Sequence, residues 1–141
     1  MKAFFFDMDG VLFNSMPHHA EAWEEVMAKY SLDFSARDCF LNEGRTGYDV
    51  INECYKRKYG TLPPQDFLEQ IYNEKTDAFT RRGATAIIPH IDDVLEYLME
   101  KNIQIWVVTG SGQQTLFDRL NEAFPGIFVR ERMITAFDVV H

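Results

Sequence analysis

Two aspartates separated by a single residue stand directly after the first apolar run of the chain. The run occupies residues 2–6, and Asp7-Met8-Asp9-Gly10 follows it. If the run is a buried strand, the backbone turns at Gly10 and both carboxylates can reach the crevice where α/β sheets bind ligands. One carboxylate can then attack an electrophilic phosphorus and form an aspartyl-phosphate. The other can protonate the leaving oxygen and later deprotonate the attacking water.

Two carboxylates that face an anionic substrate require a cation. A hard ion that prefers oxygen ligands balances such a set, so Asp7 and Asp9 predict a Mg²⁺ cofactor. The alternative interpretation is a helix N-cap or an Asx-turn, which accounts for most short strings of this kind. A second segment with complementary chemistry favours the catalytic interpretation.

That second segment is Val107-Val108-Thr109-Gly110-Ser111-Gly112. Another apolar run ends there in a hydroxyl group and two glycines before a helix begins. Backbone N–H groups and the helix dipole favour a phosphoryl group at such a point, and the Thr109 hydroxyl can donate to its oxygens. Taken alone, the segment could equally be a strand–helix turn capped by Ser111. Beside the two aspartates it predicts a phosphate-binding site at Thr109, Gly110 and Ser111.

A parallel sheet would bring these two segments to one edge. Residues 2–6 and 103–108 form the short, unbroken apolar runs of strands buried on both faces, and 133–137 is a weaker candidate. Apolar residues at helical spacing predict helices at 91–101 and 113–124. Strands that alternate with helices predict a doubly wound α/β sheet. The aromatic residues of the strands are expected in the core: Phe4, Phe5, Phe6, Trp106 and Phe137.

The stretch between the first two strands is too long for one crossover helix. Apolar residues at helical spacing predict three helices within it, at 20–30, 49–59 and 64–79. The economical interpretation is an all-helical insert that is connected to the rest near 13–17 and 81–85. We therefore expect an α/β core formed by residues 1–14 and 84–141, and a helical cap formed by residues 15–83.

Composition excludes several classes of protein. The 141 residues carry 22 acidic and 14 basic side chains, and the net charge of −8 disfavours binding to nucleic acid or to an anionic membrane. No apolar run reaches the roughly 18 residues of a membrane span, and the N-terminal segment does not resemble a signal peptide. Cys39 and Cys54 form no metal-binding or disulfide pattern, which predicts a reducing, cytoplasmic environment.

The string FDMDGVLFNS, a helical insert and then VVTGSG together resemble the haloacid dehalogenase superfamily. The resemblance is greatest to the β-phosphoglucomutase-like branch, which has a small helical cap. It implies that Asp7 is the nucleophile and Asp9 the general acid/base, and that Asp7 and the backbone carbonyl of Asp9 are Mg²⁺ ligands. It also implies that Thr109 is the phosphate-binding hydroxyl, with Gly110 and Ser111 supplying backbone groups.

The superfamily has two further motifs, a lysine and a set of acidic metal ligands, which this sequence does not contain before His141. We therefore expect an incomplete core, in which the first strand lies on an open sheet edge. A chain of residues 1–141 alone is expected to be inactive and to associate with itself, or with a complementary segment, through that edge.

Four residues of the predicted cap are candidates for substrate contact. His19 follows Asp9 by ten residues, the spacing of a histidine that lies near the substrate and hinge in this branch. Glu43 and Arg45 stand in a glycine-containing loop where Arg45 could bind a second anionic group. Lys75 could reach phosphate. The alternatives are a helix-start histidine, a solvated loop and a surface lysine.

These residues predict a Mg²⁺-dependent phosphohydrolase that acts on a small phosphorylated metabolite. The alternatives left open are a β-phosphoglucomutase-type phosphomutase, an inorganic pyrophosphatase that uses Glu43 and Arg45, and a catalytically incomplete fragment. A dehalogenase is disfavoured because that reaction needs no metal and its family members generally lack the second aspartate, here Asp9.

Overall fold

A computed structural model of the chain describes residues 2–110, 116–135 and 138. The chain divides into two compact units. The core unit combines Met1–Asn14 with Ala86–His141, and the insert unit is Ser15–Thr85. In chain order, the elements are β1 (Ala3–Phe6), α1 (Met16–Lys29), α2 (Ala36–Leu41), α3 (Gly47–Tyr59), α4 (Gln65–Arg81), α5 (Ile91–Glu100), β2 (Gln104–Val108), α6 (Leu116–Ala123) and β3 (Met133–Ile134).

The core unit contains a parallel three-stranded sheet in the order β1-β2-β3. Phe6 of β1 pairs with Val107 of β2, and Val108 pairs with Ile134 of β3. Side chains from the sheet, α5 and α6 share one buried cluster. The predicted α/β fold with a parallel sheet is confirmed, and the described residues contribute three strands to the sheet.

The expectation that β1 is buried on both faces is wrong. Phe4 and Phe5 are 45% and 59% exposed, although both were expected in the core, whereas Phe6 is buried. The reason is that β1 pairs only with β2 in the described part of the chain and therefore lies at the sheet edge. Trp106 of β2 is half-buried, with its ring 6.0 Å from that of Phe5. Phe137 lies outside the described residues.

The insert unit consists of helices α1–α4 around a second, separate apolar cluster. The three helices predicted in this segment are confirmed, with α1 starting earlier than expected because Pro17 occupies its first turn. The short helix α2 was not predicted. Its signal is a capping box, in which the Ser35 side chain accepts from the Asp38 N–H and the Asp38 carboxylate accepts from the Ser35 N–H.

Two segments of the core unit that flank the insert in sequence pair with each other. The Asn14 N–H donates to the Ala86 carbonyl at 2.8 Å, and the Ile88 N–H donates to the Leu12 carbonyl at 3.0 Å. These bonds close the core unit at the point where the insert interrupts it. Within the described ranges, no helix is both long and apolar enough to cross a membrane.

Candidate functional site

The carboxyl ends of β1 and β2 bring Asp7 and Thr109 together. Asp7 follows the last residue of β1 and Thr109 follows the last residue of β2, and the parallel register places these ends side by side. The Thr109 hydroxyl donates a hydrogen bond to the Asp7 carboxylate. Thr109 is buried and Asp7 is half-buried, so this contact lies at the rim of the core.

A tight turn after β1 fixes the position of Asp9. The N–H groups of Leu12 and Phe13 both donate to the Met8 carbonyl at 3.0 Å, and the Gly10 N–H donates to the Phe13 carbonyl at 2.8 Å. Gly10 has φ +76°, in the left-handed region that glycine adopts without strain. The Met8 side chain is fully buried and anchors the turn. No helix begins here, so the helix N-cap interpretation of this string is wrong.

Burial is the largest influence on the ionisation of Asp7. It raises the pKa of the Asp7 carboxyl above its ordinary value, and the neighbouring charge of Asp9 raises it further. The Met8 N–H, 2.7 Å from Asp7 Oδ1, and the Thr109 hydroxyl act in the opposite direction. The net effect is a pKa above the ordinary aspartate value. The protein therefore stabilises the ionised Asp7 carboxylate less well than water does.

Asp7 and Asp9 provide the oxygen ligands that Mg²⁺ prefers. Only Met8 separates the two aspartates in sequence. After burial, the negative charge of Asp9 is a further cause of the raised pKa of the Asp7 carboxyl. This donor set fits a hard divalent cation. The described residues contain no group of three or more histidine, cysteine, aspartate or glutamate side chains placed to hold a metal.

A second threonine, Thr135, follows β3 at the same edge of the sheet. The Thr109 N–H donates to the Ile134 carbonyl at 2.9 Å. The next residue, Thr135, is buried, and its N–H and hydroxyl both donate to Asp138 Oδ2 at 2.8 Å. Thr135 was not predicted as a polar residue of this edge because the candidate strand at 133–137 was expected to continue through it.

The sequence analysis missed Arg119, which contributes a positive charge to the core unit. Its guanidinium carbon lies 4.1 Å from the centroid of the Phe13 ring. Burial lowers the pKa of the guanidinium, and the charge of Asp9 raises it. The helix containing Arg119 was predicted from its apolar residues, and a single arginine in it had no spacing signal.

The predicted phosphate-binding segment is described only in part. Thr109 is buried and Gly110 is exposed. Ser111, the third residue of that prediction, lies outside the described residues.

Two of the predicted cap residues contact each other inside the insert unit. Lys75 Nζ lies 2.8 Å from His19 Nδ1 and over the rings of Trp23 and Phe79, at 5.1 and 5.5 Å from their centroids. His19 stacks on Phe79 with a centroid separation of 4.2 Å. Lys75 is only 6% exposed, so the alternative of a surface lysine is wrong. Lys75 Nζ and His19 Nδ1 thus share one hydrogen bond in the interior of the insert unit.

The loop containing Glu43 and Arg45 is exposed. Arg45 pairs with the Glu53 carboxylate, and its Nη1 also donates to Asn42 Oδ1 at 2.8 Å. A Cβ atom added to Gly47 would overlap the ring of Tyr72. Packing within the insert unit therefore accounts for this glycine.

A comparison with family models identifies the chain over residues 1–140 as a haloacid dehalogenase-like hydrolase. A curated relative is the phosphorylated carbohydrates phosphatase of Thermotoga maritima, 26% identical over 123 residues that cover 85% of this chain and 55% of the relative. The chain thus spans about half the length of the curated relatives it matches.

Solved structures of similar fold include a provisionally assigned beta-phosphoglucomutase from Bacteroides vulgatus. It is 41% identical, with a TM-score of 0.94, and the match covers all of this chain and 57% of that one. CbbY from Rhodobacter sphaeroides, solved in complex with phosphate, shares the fold at 22% identity and a TM-score of 0.70, over all of this chain and 66% of that one.

The raised pKa of Asp7 predicts a stability effect that depends on pH. Below the ordinary aspartate pKa the Asp7 carboxyl is protonated in both the folded and the unfolded state. At such a pH it does not lower the free energy of unfolding. As pH rises through the interval up to the raised pKa, ionisation increasingly favours the unfolded state. Asp7→Asn is therefore expected to raise the melting temperature at pH 7 and to change it little at pH 3, measured by circular dichroism.

Asp77→Asn is the matched control, because Asp77 is an exposed aspartate on α4. It should leave the melting temperature nearly unchanged at both pH values. An increase in melting temperature from Asp7→Asn that is equally large at pH 3 and pH 7 would show that the ionisation of Asp7 is not its cause.

Proposed function

Because this chain belongs to the haloacid dehalogenase-like hydrolases, we propose that it carries the nucleophile of a Mg²⁺-dependent phosphohydrolase that acts on a small phosphorylated metabolite. The observation that carries this proposal is the hydrogen bond from Thr109 to Asp7 across the carboxyl ends of two adjacent parallel strands. A carboxylate and a phosphate-binding hydroxyl then face the same position, where an acceptor phosphorus can sit.

Asp7 is the proposed nucleophile. Its carboxylate oxygen attacks the phosphorus, the bond to the leaving oxygen breaks, and the phosphoryl group becomes an aspartyl-phosphate. Incomplete stabilisation of the Asp7 charge favours this step, since the charge is dispersed when the bond forms. Thr109 and Gly110, with Ser111, are proposed to hold the phosphoryl oxygens through hydroxyl and backbone donors.

Asp9 is the proposed general acid and base. The turn that ends in Phe13 fixes it two residues from the nucleophile. In the first half-reaction its carboxyl group gives a proton to the leaving oxygen, and in the second its carboxylate takes a proton from the water that attacks the phosphorus. Mg²⁺, held by Asp7 and Asp9, would neutralise charge on the transferred phosphoryl group.

The insert unit is the proposed cap, with the core formed by residues 1–14 and 84–141 and the cap by 15–83. His19, Glu43, Arg45 and Lys75 are the proposed substrate contacts of the cap. Lys75 shares a hydrogen bond with His19 in the unit's interior, so its most direct effect is on the position of the histidine ring. Glu43 and Arg45 lie on the exposed loop, where a substrate can reach them.

A phosphorylated carbohydrate is the proposed substrate class, since the curated Thermotoga maritima relative is named as a phosphatase of such compounds. A phosphomutase is the second candidate, which the 41% identity with the Bacteroides vulgatus structure favours. Inorganic pyrophosphate remains a third substrate, for which Arg45 would have to leave its pair with Glu53. Since the chain spans about half of its curated relatives, these activities are proposed for the complete protein.

Substitution of the two aspartates should separate their roles in the complete protein. Asp7→Asn removes the attacking anion, and turnover should fall by about two orders of magnitude or more. Asp9→Asn should slow poor leaving groups by about 10²–10⁴-fold and accumulate one phosphoryl group on Asp7 with good leaving groups, detected by intact mass spectrometry. Covalent catalysis is refuted if Asp7→Asn keeps about a tenth of wild-type turnover.

Arg45→Ala should affect substrates selectively. We expect a raised KM for substrates with a second anionic group and little change for a small generic phosphoester, measured by steady-state kinetics. Arg37→Ala, which removes an exposed arginine from α2, is the control for net charge. Equal effects on both kinds of substrate would mean that the loop has only a structural role.

The exposed edge of β1 is the basis of the last prediction here. A polypeptide of residues 1–141 made on its own should self-associate through Phe4 and Phe5, or bind a complementary segment, and should lack Mg²⁺-dependent phosphatase activity. Phe5→Lys should shift it toward the monomer in sedimentation-velocity experiments, whereas Leu62→Lys, at a 63% exposed position of the insert unit, should not. An active monomer of the unmodified polypeptide would contradict both parts.

A further inference from the structure

The side chain of Arg119 is half-buried on α6 although no step proposed above uses it. Its guanidinium carbon lies 4.1 Å from the centroid of the Phe13 ring, the distance of a stacked cation–π pair. Removing a guanidinium from water costs free energy, and burial accordingly lowers the pKa of this group. A half-buried arginine therefore needs compensating contacts, and the Phe13 ring supplies one.

Phe13 belongs to the turn that holds Asp9. It is 2% exposed, its N–H donates to the Met8 carbonyl, and its carbonyl accepts from the Gly10 N–H. Its ring also contacts Phe124, with centroids 5.8 Å apart. The Phe13 ring is thus held by Arg119 and Phe124, while the Phe13 backbone closes the turn around Asp9.

The charge of Arg119 acts on the same turn. Asp9 is the ionisable group whose negative charge raises the pKa of the guanidinium, so the two charges interact. The guanidinium group of an arginine keeps its charge at every working pH. It also presents a planar face to an aromatic ring, whereas the ammonium group of a lysine has no such face. A permanent cation that interacts with Asp9 favours an anion near that carboxylate and opposes a second cation there.

We propose that Arg119 is a positioning residue of the Asp7–Asp9 site, which fixes the Asp9 turn through Phe13 and supplies a permanent positive charge that favours a bound phosphoryl group. The charge component rests on the proposed function, because it requires that phosphate and Mg²⁺ bind at this site. The turn component does not, because it depends only on contacts within the core unit.

Loss of the Arg119 charge should change phosphate binding and Mg²⁺ binding in opposite directions. A general loss of structure would weaken both. In the complete protein, Arg119→Met should weaken binding of inorganic phosphate by ~5-fold and strengthen binding of Mg²⁺ by a similar factor. Each would be measured separately by isothermal titration calorimetry. Arg119→Lys keeps the charge, so it should lose less phosphate affinity than Arg119→Met and should show no rise in Mg²⁺ affinity. Lys101→Met is the control, since it also removes a cation stacked on a ring, that of Tyr97.

Equal weakening of phosphate and Mg²⁺ binding by Arg119→Met, or no change in either, would overturn the charge component. If the wild-type protein binds neither probe, the proposed function fails and the charge component fails with it. Hydrogen exchange then still tests the turn. The amides of Leu12 and Phe13 should exchange faster in both Arg119→Met and Arg119→Lys than in wild type and Lys101→Met, and unchanged exchange in Arg119→Met would overturn the turn component.

Discussion

The ionised Asp7 carboxylate is the constraint on which the core unit depends. Burial and the charge of Asp9 both raise its pKa, and the Met8 N–H and the Thr109 hydroxyl offset only part of that effect. A folded protein keeps such a group in place only where several contacts of the surrounding backbone fix its position. Here the parallel register of β1 and β2 and the turn closed by Phe13 do so. The same incomplete stabilisation that costs folding free energy would favour attack by the carboxylate in the proposed reaction.

Sequence alone predicted the elements that position this site. Short apolar runs located β1 and β2, and the register then placed Asp7 beside Thr109, as the motif spacing required. The exposure of Phe4 and Phe5 was not predicted, because an apolar run indicates a strand but not which neighbours cover it. Helix α2 was missed because its signal is a single capping box, whereas the longer helices repeat an apolar pattern.

The positions of charged side chains were the least predictable part of the site. Lys75 was expected at the surface or at a phosphate, yet the rings of Trp23 and Phe79 and the His19 nitrogen enclose it. Arg119 had no motif at all. In both cases one ring of the environment is distant in sequence, Trp23 for Lys75 and Phe13 for Arg119, and a spacing rule within one helix contains no information about it. Gly47 is a similar case, because the ring that requires it belongs to Tyr72 on another helix.

Each unit thus buries one cation against its own aromatic residues, Arg119 on Phe13 and Lys75 on Trp23 and Phe79. The two apolar clusters share no residue. In a chain with net charge −8, buried cations stacked on aromatic rings also supply positive charge that solvent screens less than it screens surface lysines.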